Sequence, residues 1–212
     1  MKFIKYILKS YHRNLLEKQL INYKNLISGK IIDIGSKYRR YDQLFNGEIT
    51  AIDIKPNLKL NIIIGDLTNL NFESNCFDSV LCLEVFQYLN PDDFKKGIDE
   101  IYRILKQYGK AIISFPFYCW DHYDNMRLTI NFIKSYLNKM NKFEFKIIKL
   151  GNKYTSIYDI IRFSKLTKKS NKLRNFTFNL LMYVLYLFIK IFSLENKQDS
   201  FYSGFLLICS KK

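Results

Sequence analysis

Cysteine is scarce and scattered in this 212-residue chain. The four cysteines, Cys76, Cys82, Cys119 and Cys209, show neither paired spacing nor a pattern shared with histidine. A disulfide framework or a zinc site would need such spacing, so neither is expected, and no metal site is predicted. Cys82 and Cys209 fall in apolar runs that predict strands, where cysteine behaves as a small buried hydrophobe. These thiols favour a reducing, cytoplasmic setting.

An unbroken apolar stretch is missing from the start of the chain. Residues 1–27 carry apolar side chains at helical spacing, but basic residues such as Lys5 and Lys9 interrupt them. A secretory signal needs an uninterrupted apolar centre of roughly 7–15 residues. The segment therefore predicts amphipathic helix that packs on the sheet, or forms a lid over the ligand site. His12 within it is interpreted as a surface residue.

Acidic residues are outnumbered, with 34 Lys and Arg against 19 Asp and Glu, a net charge of +15. Such an excess is compatible with nucleic acid or an anionic membrane surface as partner. The chain is also rich in lysine, asparagine, isoleucine, tyrosine and phenylalanine, which AT-rich codons encode, so coding bias explains part of the charge. With 48% hydrophobic residues, the chain can bury one sizeable core, which predicts one domain over residues 1–212.

Glycine is missing where a dinucleotide-binding loop would need it. Residues 30–34 form a short apolar run that contains Asp33 and precedes Gly35, which predicts a buried parallel strand. The dinucleotide pattern G-x-G-x-x-G lets the backbone approach a pyrophosphate, but Lys37 and Arg40 occupy the later glycine places. The stretch therefore favours a nucleoside ligand without phosphates. An ordinary strand, turn and helix is the alternative.

A second strand is predicted over residues 48–54 and contains Asp53, which follows Asp33 by 20 residues. In open α/β sheets, ligands bind beyond the carboxyl ends of the strands. A carboxylate at that edge can accept both hydrogens of a ribose diol. Further strands are predicted at 60–64, ending at Gly65-Asp66, and at 77–83, ending at Glu84.

The rest of the chain continues the alternation of helices and strands. Asn90-Pro91 opens a helix that Gly109 is expected to end, before a strand at 111–115. A further helix is predicted over 130–140, and strands at 143–150 and 201–210. The alternation predicts an α/β fold.

The ordered motifs resemble a class I S-adenosylmethionine-dependent methyltransferase over about residues 28–118. They are Asp33-x-Gly35, Asp53, Gly65-Asp66, Phe77-Asp78-x-Val80, Glu-Val-Phe-Gln-Tyr-Leu at 84–89, Ile-Tyr-Arg-Ile-Leu-Lys at 101–106 and Phe-Pro-Phe at 115–117. The resemblance implies a Rossmann-like, seven-stranded, mostly parallel sheet with helices on both faces and an antiparallel last strand. It also implies S-adenosyl-L-methionine as cofactor.

The resemblance assigns cofactor-binding roles by position. The implied residues are Asp33, Gly35, Ser36, Asp53, Ile54, Asp66, Leu67 and Glu84. In the family, the first three positions surround the methionine moiety, the Asp53 position binds the ribose hydroxyls, and the Asp66 and Leu67 positions flank the adenine. Glu84 lies where the fourth strand meets cofactor and substrate. Two departures are the loss of the later loop glycines and Gln87-Tyr88 in place of the usual Glu-His.

The segment 115–129 is similar to one in methyltransferases associated with bacterial surface-glycan biosynthesis. That similarity implies a hydroxyl acceptor on a sugar or glycan precursor, and a hydroxyl benefits from a general base. His122 is the first candidate, because histidine accepts protons near neutrality, and Tyr88 and Asp121 are the others. The alternatives are a structural loop braced by Arg127 and Asp124, a quinone-like small-molecule substrate, and a non-catalytic binding module.

Nucleic-acid bases are not the expected acceptor. Amino-methylation of a base would call for Asn-Pro-Pro-aromatic at the end of the fourth strand, and cytosine-C5 chemistry for Pro-Cys. Residues 83–86 read Leu-Glu-Val-Phe instead. No nucleic-acid partner is predicted, despite the positive charge.

Acids are absent between residues 160 and 194. The first part is basic, with Arg162, Lys165, Lys168, Lys169, Lys172 and Arg174, and the second predicts a helix over 176–194 whose polar stripe runs through Tyr183, Tyr186 and Lys190. Lys190 interrupts a spanning length, so the helix is expected to dock peripherally on the inner face of an anionic membrane, to cover the sheet, or to form a dimer face. Oligomeric state stays open. The predicted parts are a helical segment (1–27), a cofactor-binding core (28–150), a basic and apolar helical insertion (151–200) and a final strand (201–212).

Overall fold

The computed structural model describes residues 9–117, 124–164, 172–197 and 199–212. These residues build a seven-stranded sheet in the order β3-β2-β1-β4-β5-β7-β6. The strands are β1 (Ser28–Ile34), β2 (Asn46–Asp53), β3 (Ile62–Ile64), β4 (Phe77–Leu83), β5 (Leu105–Pro116), β6 (Phe143–Leu150) and β7 (Gly204–Lys211). Strands β1 to β5 pair in parallel, while β7 is antiparallel to both β5 and β6. The predicted mostly parallel sheet with an antiparallel last strand is confirmed.

Helices cover both faces of the sheet. The described residues form α1 (Tyr11–Tyr23), α2 (Pro91–Ile104), α3 (Ile130–Met140), α4 (Lys153–Ser164) and α5 (Lys172–Ile191). One core cluster packs α2 and α3 against the sheet through residues such as Ile101 and Ile133. A second cluster packs α1 on the sheet through Leu16 and Leu20. Thr129 caps α3 as predicted, because its hydroxyl accepts the Phe132 N–H at 3.2 Å.

Some element bounds differ from the sequence predictions. Helix α2 ends at Ile104 and passes directly into β5, so Gly109 lies inside the strand instead of ending the helix. The pairing of β4 with β5 shifts in register here, and the surplus residues are absorbed where Tyr108 takes a φ of 64°. The last strand begins at Gly204, not at residue 201, because its pairing with β5 starts opposite Pro116.

Helix α5 packs on α1 and α4 through a third cluster. Its buried side chains are Met182, Tyr186 and Ile189, which contact Tyr11 and Tyr158. The opposite side is exposed. Among the described residues, no helix is both long and apolar enough to cross a membrane.

The sheet contains a buried acid. Asp33, in β1, is only 7% exposed. Burial raises its pKa from 3.8 to about 7, Asp42 and Asp53 add to the rise, and Ser36 and Arg39 offset part of it. Near neutral pH, the neutral and the ionised forms of this carboxyl are therefore both populated.

We expect Asp33→Asn to be more stable than the wild type above neutral pH. The raised folded pKa means that the wild type has its full stability below the unfolded value of 3.8 and loses it as pH rises through about 7. At about 1.4 kcal/mol per pKa unit, the difference in unfolding free energy between Asp33→Asn and the wild type should grow to roughly 4 kcal/mol. Denaturant unfolding of both proteins from pH 4 to 8 measures it. Asp159, whose pKa burial raises to about 6, is common to both proteins and cancels. A gap that does not change with pH would contradict the expectation.

Candidate active site

The carboxyl ends of β1, β2 and β4 lie side by side at one edge of the sheet. Ile34 is opposite Ile52 of β2 on one side and Cys82 of β4 on the other. The strand order reverses at β1, since the chain first adds β2 and β3 on one side and then β4 on the other. Such a reversal opens a crevice at the carboxyl edge. Gly35, Asp53 and Glu84, which follow or end these strands, therefore share that edge.

The loop after β1 is fixed on the end of β2. The N–H groups of Gly35 and Ser36 both donate to the carbonyl oxygen of Ile52, at 2.9 and 3.0 Å. Gly35 has a φ of 74°, and a Cβ at this position would lie 2.4 Å from Cγ2 of Val85. Both the conformation and the space therefore require glycine.

The same loop does not lead into an α-helix. Residues 35–45, all described, contain only a short 3₁₀ turn at Asp42–Leu44. Phosphate-binding loops rely on the N–H groups and dipole at a helix N-terminus. The Arg39 guanidinium is already engaged, with Asp42 at 2.6 Å and with the carbonyls of Leu60 and Asn61. The loop therefore fits a ligand that presents no phosphate.

The Asp53 carboxylate at the end of β2 is held by two backbone donors. Lys37 N–H donates to Oδ2 at 3.2 Å, and Lys55 N–H donates to Oδ1 at 2.9 Å. Each carboxylate oxygen can accept more than one hydrogen bond, so both keep capacity for a ligand hydroxyl. The neighbouring Ile54 is exposed, with 69% of its surface accessible. This arrangement is suited to a ribose diol with an apolar side chain beside it.

Asp66 and Leu67 follow β3 and reach the edge through Gly65, whose N–H donates to the Asp53 carbonyl at 3.1 Å. Asp66 Oδ1 accepts the N–H and the hydroxyl of Thr68, at 2.8 and 2.9 Å. Leu67 is buried in the core below. Asp66 is thus oriented by its own turn beside the end of β2.

Glu84 follows β4 in a left-handed conformation, with a φ of 60°. Its Oε1 accepts the Ser114 hydroxyl at 2.7 Å and lies 3.4 Å from Nε2 of His12. Burial by itself would raise the pKa of Glu84, but His12, Ser114 and Arg13 outweigh it, and the pKa is lowered. The Glu84 carboxylate is therefore ionised at neutral pH.

The interpretation of His12 as a surface residue is wrong. His12 is only 8% exposed and faces Glu84 and Ser203. It shares a helical face with Leu16 and Leu20, both fully buried, at spacings of four residues. That spacing was the available signal for His12. No sequence pattern indicates that Ser114 bonds Glu84 or that Ser203 contacts His12.

Of the three candidate bases, Tyr88 is among the described residues. Tyr88 lies in a 3₁₀ turn, Phe86–Tyr88, and is 43% exposed. Its carbonyl accepts the Asn125 side-chain amide at 2.8 Å. His122 and Asp121 lie outside the described residues, so the proton-accepting roles assigned to them and to Tyr88 stay predictions.

The segment after residue 123 is braced as one of the sequence interpretations proposed. Arg127 pairs with Asp124 and donates to the Phe117 carbonyl at 2.7 Å. The Gln87 carbonyl accepts the N–H groups of Asn125 and Met126, at 2.7 and 3.2 Å. Gln87 therefore helps to attach this segment to the end of β4.

Comparison with known proteins agrees with this geometry. Residues 32–113 match the family described as a methyltransferase domain. A protein of Methanocaldococcus jannaschii whose function is uncharacterized is 33% identical in an alignment of 107 positions, and the match covers 47% of this chain and 45% of that protein. The chain thus spans about half the length of this curated relative.

Two solved structures share the fold. One is a SAM-dependent methyltransferase from Archaeoglobus fulgidus, with a TM-score of 0.60, 16% identity and 94% of each chain covered. The other is phosphoethanolamine N-methyltransferase 2 of Haemonchus contortus in complex with S-adenosyl-L-methionine, with a TM-score of 0.53, 14% identity, and 88% of this chain and 49% of that chain covered. Residues 32–113 are thus similar to a methyltransferase domain, and the chain shares its fold with both of these solved structures.

Proposed function

We propose that the protein is an S-adenosylmethionine-dependent methyltransferase that O-methylates a sugar, a glycan precursor or a related small-molecule acceptor. The observation that carries the methyltransferase activity is the edge formed by β1, β2 and β4. There the loop after β1, which does not lead into a phosphate-binding helix N-terminus, is hydrogen-bonded to Ile52. It lies beside the Asp53 carboxylate within the matched domain.

Different residues at this edge would bind different parts of the cofactor. Asp53 would bind the ribose hydroxyls, and Gly35 and Ser36 would lie along the methionine moiety above Asp33. Ile54 and Asp66 would flank the adenine, together with the backbone of Leu67, whose side chain is buried in the core. Glu84 would face the junction of cofactor and acceptor. S-adenosylmethionine supplies a methyl group on a sulfonium, and its transfer is an in-line displacement in which the protein chiefly positions the two reactants.

The glycan assignment rests on the sequence similarity of residues 115–129 to glycan-associated methyltransferases. His122, with Tyr88 and Asp121 as alternatives, would take the proton from the acceptor hydroxyl. A quinone-like acceptor suits the same edge, and a binding module without catalysis would also keep Asp53 and Gly35. Measurement of cofactor binding and of methyl transfer separates these possibilities.

A second part of the proposal is that the enzyme docks on the cytoplasmic face of an anionic membrane through residues 160–194. The observation that favours it is the orientation of α5. Its tyrosine side, with Tyr186, faces the protein, while its aliphatic and aromatic side is at least half exposed. The exposed residues on and just after α5 are Phe176, Leu180, Leu181, Val184, Phe188, Ile191 and Phe192.

The charge of the sequence that contains α5 complements anionic lipid. Residues 160–194 contain no acid and seven basic residues. Each basic side chain near an anionic surface contributes about 1 kcal/mol, which salt weakens. An exposed leucine or phenylalanine that enters lipid adds up to about 1.5–3 kcal/mol. The pattern is that of an interfacial amphipathic helix, with its apolar side toward lipid.

We expect Asp53→Ala to weaken S-adenosylmethionine binding about tenfold or more, because the ribose hydroxyls lose their acceptor. Calorimetric titration of both proteins with S-adenosylmethionine and S-adenosylhomocysteine measures the loss. Glu48→Ala is the matched control, since Glu48 is an exposed acid at the opposite end of the same strand. If the wild type gives neither heat nor a thermal shift at millimolar ligand, the methyltransferase proposal fails.

Methyl transfer should label a hydroxyl-bearing acceptor. Purified protein with methyl-labelled S-adenosylmethionine is offered nucleotide sugars, lipid-linked glycans and quinone precursors in parallel. Label in the first two groups, reduced at least about a hundredfold by His122→Ala, is the expected result. Label only in quinone precursors would replace the glycan assignment, and cofactor binding without label in any acceptor would favour the non-catalytic module.

In vesicle flotation, the wild type should rise with anionic phospholipid vesicles at low salt and partly remain bound at high salt. Leu181→Gln with Phe188→Gln should lose the salt-resistant fraction, because those side chains carry the lipid contact. Ile21→Gln with Phe132→Gln is the control pair, with similar exposure on α1 and α3. A wild type that does not float at low salt would remove the membrane assignment.

A further inference from the structure

Residues from four elements meet around His12. Its Nδ1 lies 3.1 Å from the Ser203 hydroxyl, which precedes β7, and its Nε2 lies 3.4 Å from Oε1 of Glu84. Asp159 of α4 accepts the N–H groups of Tyr11 and His12, at 2.6 and 2.8 Å, and so fixes the start of α1. Gly204 leaves room for the ring, because a Cβ there would lie 2.4 Å from Cε1 of His12.

The hydrogen-bond donors and acceptors fix how the ring faces Glu84. An ionised carboxylate only accepts hydrogen bonds, so Nε2 must carry its hydrogen toward Glu84. In the neutral ring, Nδ1 accepts the Ser203 hydroxyl. In the imidazolium, Nδ1 donates to Ser203, whose hydroxyl then donates to the Leu150 carbonyl at 2.9 Å. The Nε2–H directed at Glu84 is therefore kept in both forms without any movement of a heavy atom.

Glu84 needs such support. A non-glycine residue with a left-handed backbone persists only where its surroundings hold it. Here Glu84 N–H donates to the Ser114 hydroxyl at 2.9 Å, and the Gln87 side chain donates to the Glu84 carbonyl at 2.7 Å. These bonds hold the backbone and one carboxylate oxygen. On the side of α1, it is the His12 ring that contacts the carboxylate directly.

We propose that His12 is a positioning residue of the methyltransferase site. Its imidazole orients the Glu84 carboxylate at the carboxyl end of β4 and ties that orientation to the docking of α1 on α4 and β7. The inference rests on the proposed function, and it adds to it a residue of the N-terminal helix that acts on the cofactor edge through Glu84.

Within the described part of the chain, the charged groups around the pair come from α1 and α4. His12 and Arg13 of α1 face Glu84, and both stabilise its ionised form. Asp159 of α4 faces the beginning of α1, where it is bonded to backbone N–H groups. Ser114 of β5 and Ser203 are the neutral partners. Loss of the His12 ring would therefore shift the protonation of Glu84 toward higher pH.

The test compares His12→Leu, which has no donor, with His12→Gln, whose amide can still donate to Glu84. S-adenosylmethionine affinity is measured by calorimetry from pH 5 to 9. We expect the acidic limb of the affinity profile to move to higher pH in His12→Leu, with about tenfold weaker binding at pH 6. His12→Gln should restore most of the wild-type profile. If the two variants have the same profile, or if the His12→Leu profile matches the wild type, the proposal is overturned.

A second measurement does not need the cofactor. The unfolding equilibria of the wild type, His12→Leu, Glu84→Gln and the double variant form a double-mutant cycle, because leucine is similar in size to histidine but has no donor for Glu84. We expect a coupling of about fivefold or more in the unfolding constant, and additive effects would overturn the proposal. If the wild type binds no S-adenosylmethionine, the proposed function fails, while this cycle still decides whether His12 holds Glu84.

Discussion

The last two residues of β2 hold the loops that follow β1 and β3. The Ile52 carbonyl accepts the N–H groups of Gly35 and Ser36, and the Asp53 carboxylate accepts that of Lys37. The Asp53 carbonyl accepts the N–H of Gly65, which leads to Asp66. The loops after β1 and β3 are therefore both attached to one strand end. Because β2 lies between β1 and β3, in-register parallel pairing is sufficient to assemble these loops.

The structure explains why a loop with one glycine can serve this fold. Close approach of backbone and ligand pyrophosphate is the reason for the later glycines in dinucleotide-binding loops. Here Lys37 and Arg39 adopt left-handed conformations, and the chain returns to β2 through a single 3₁₀ turn. The guanidinium of Arg39 bonds to the protein itself. The Arg39 side chain is thus committed to the fold, and the Asp53 carboxylate beside the loop keeps capacity for a ligand hydroxyl.

The sequence predicted best what depends on local pattern. Apolar runs ending in an acid located β1, β2 and β4, and Thr129 located the start of α3, since strand burial and capping are read from neighbouring residues. It failed where distant contacts decide. The burial of His12 depends on Ser203 and Glu84, and the place of Gly109 inside β5 depends on the register with β4. The left-handed backbone of Glu84 depends on Ser114 and has no local signature.

In α5, tertiary contacts bury the side that carries tyrosines and expose the opposite, more apolar side. Tyr186 turns inward because Tyr11 and Tyr158 offer it ring contacts at 5.7 and 6.4 Å, and the Tyr11 hydroxyl bonds Glu195 at 2.8 Å. The side that carries Leu181, Val184 and Phe188 is then left outward. Tyr11 contacts α5, and the next residue, His12, contacts Glu84, while Asp159 holds the N–H groups of both. A surface that covers α5 would therefore contact the helix that packs on Tyr11. Tyr11 is next to His12, whose ring contacts the Glu84 carboxylate at the carboxyl end of β4.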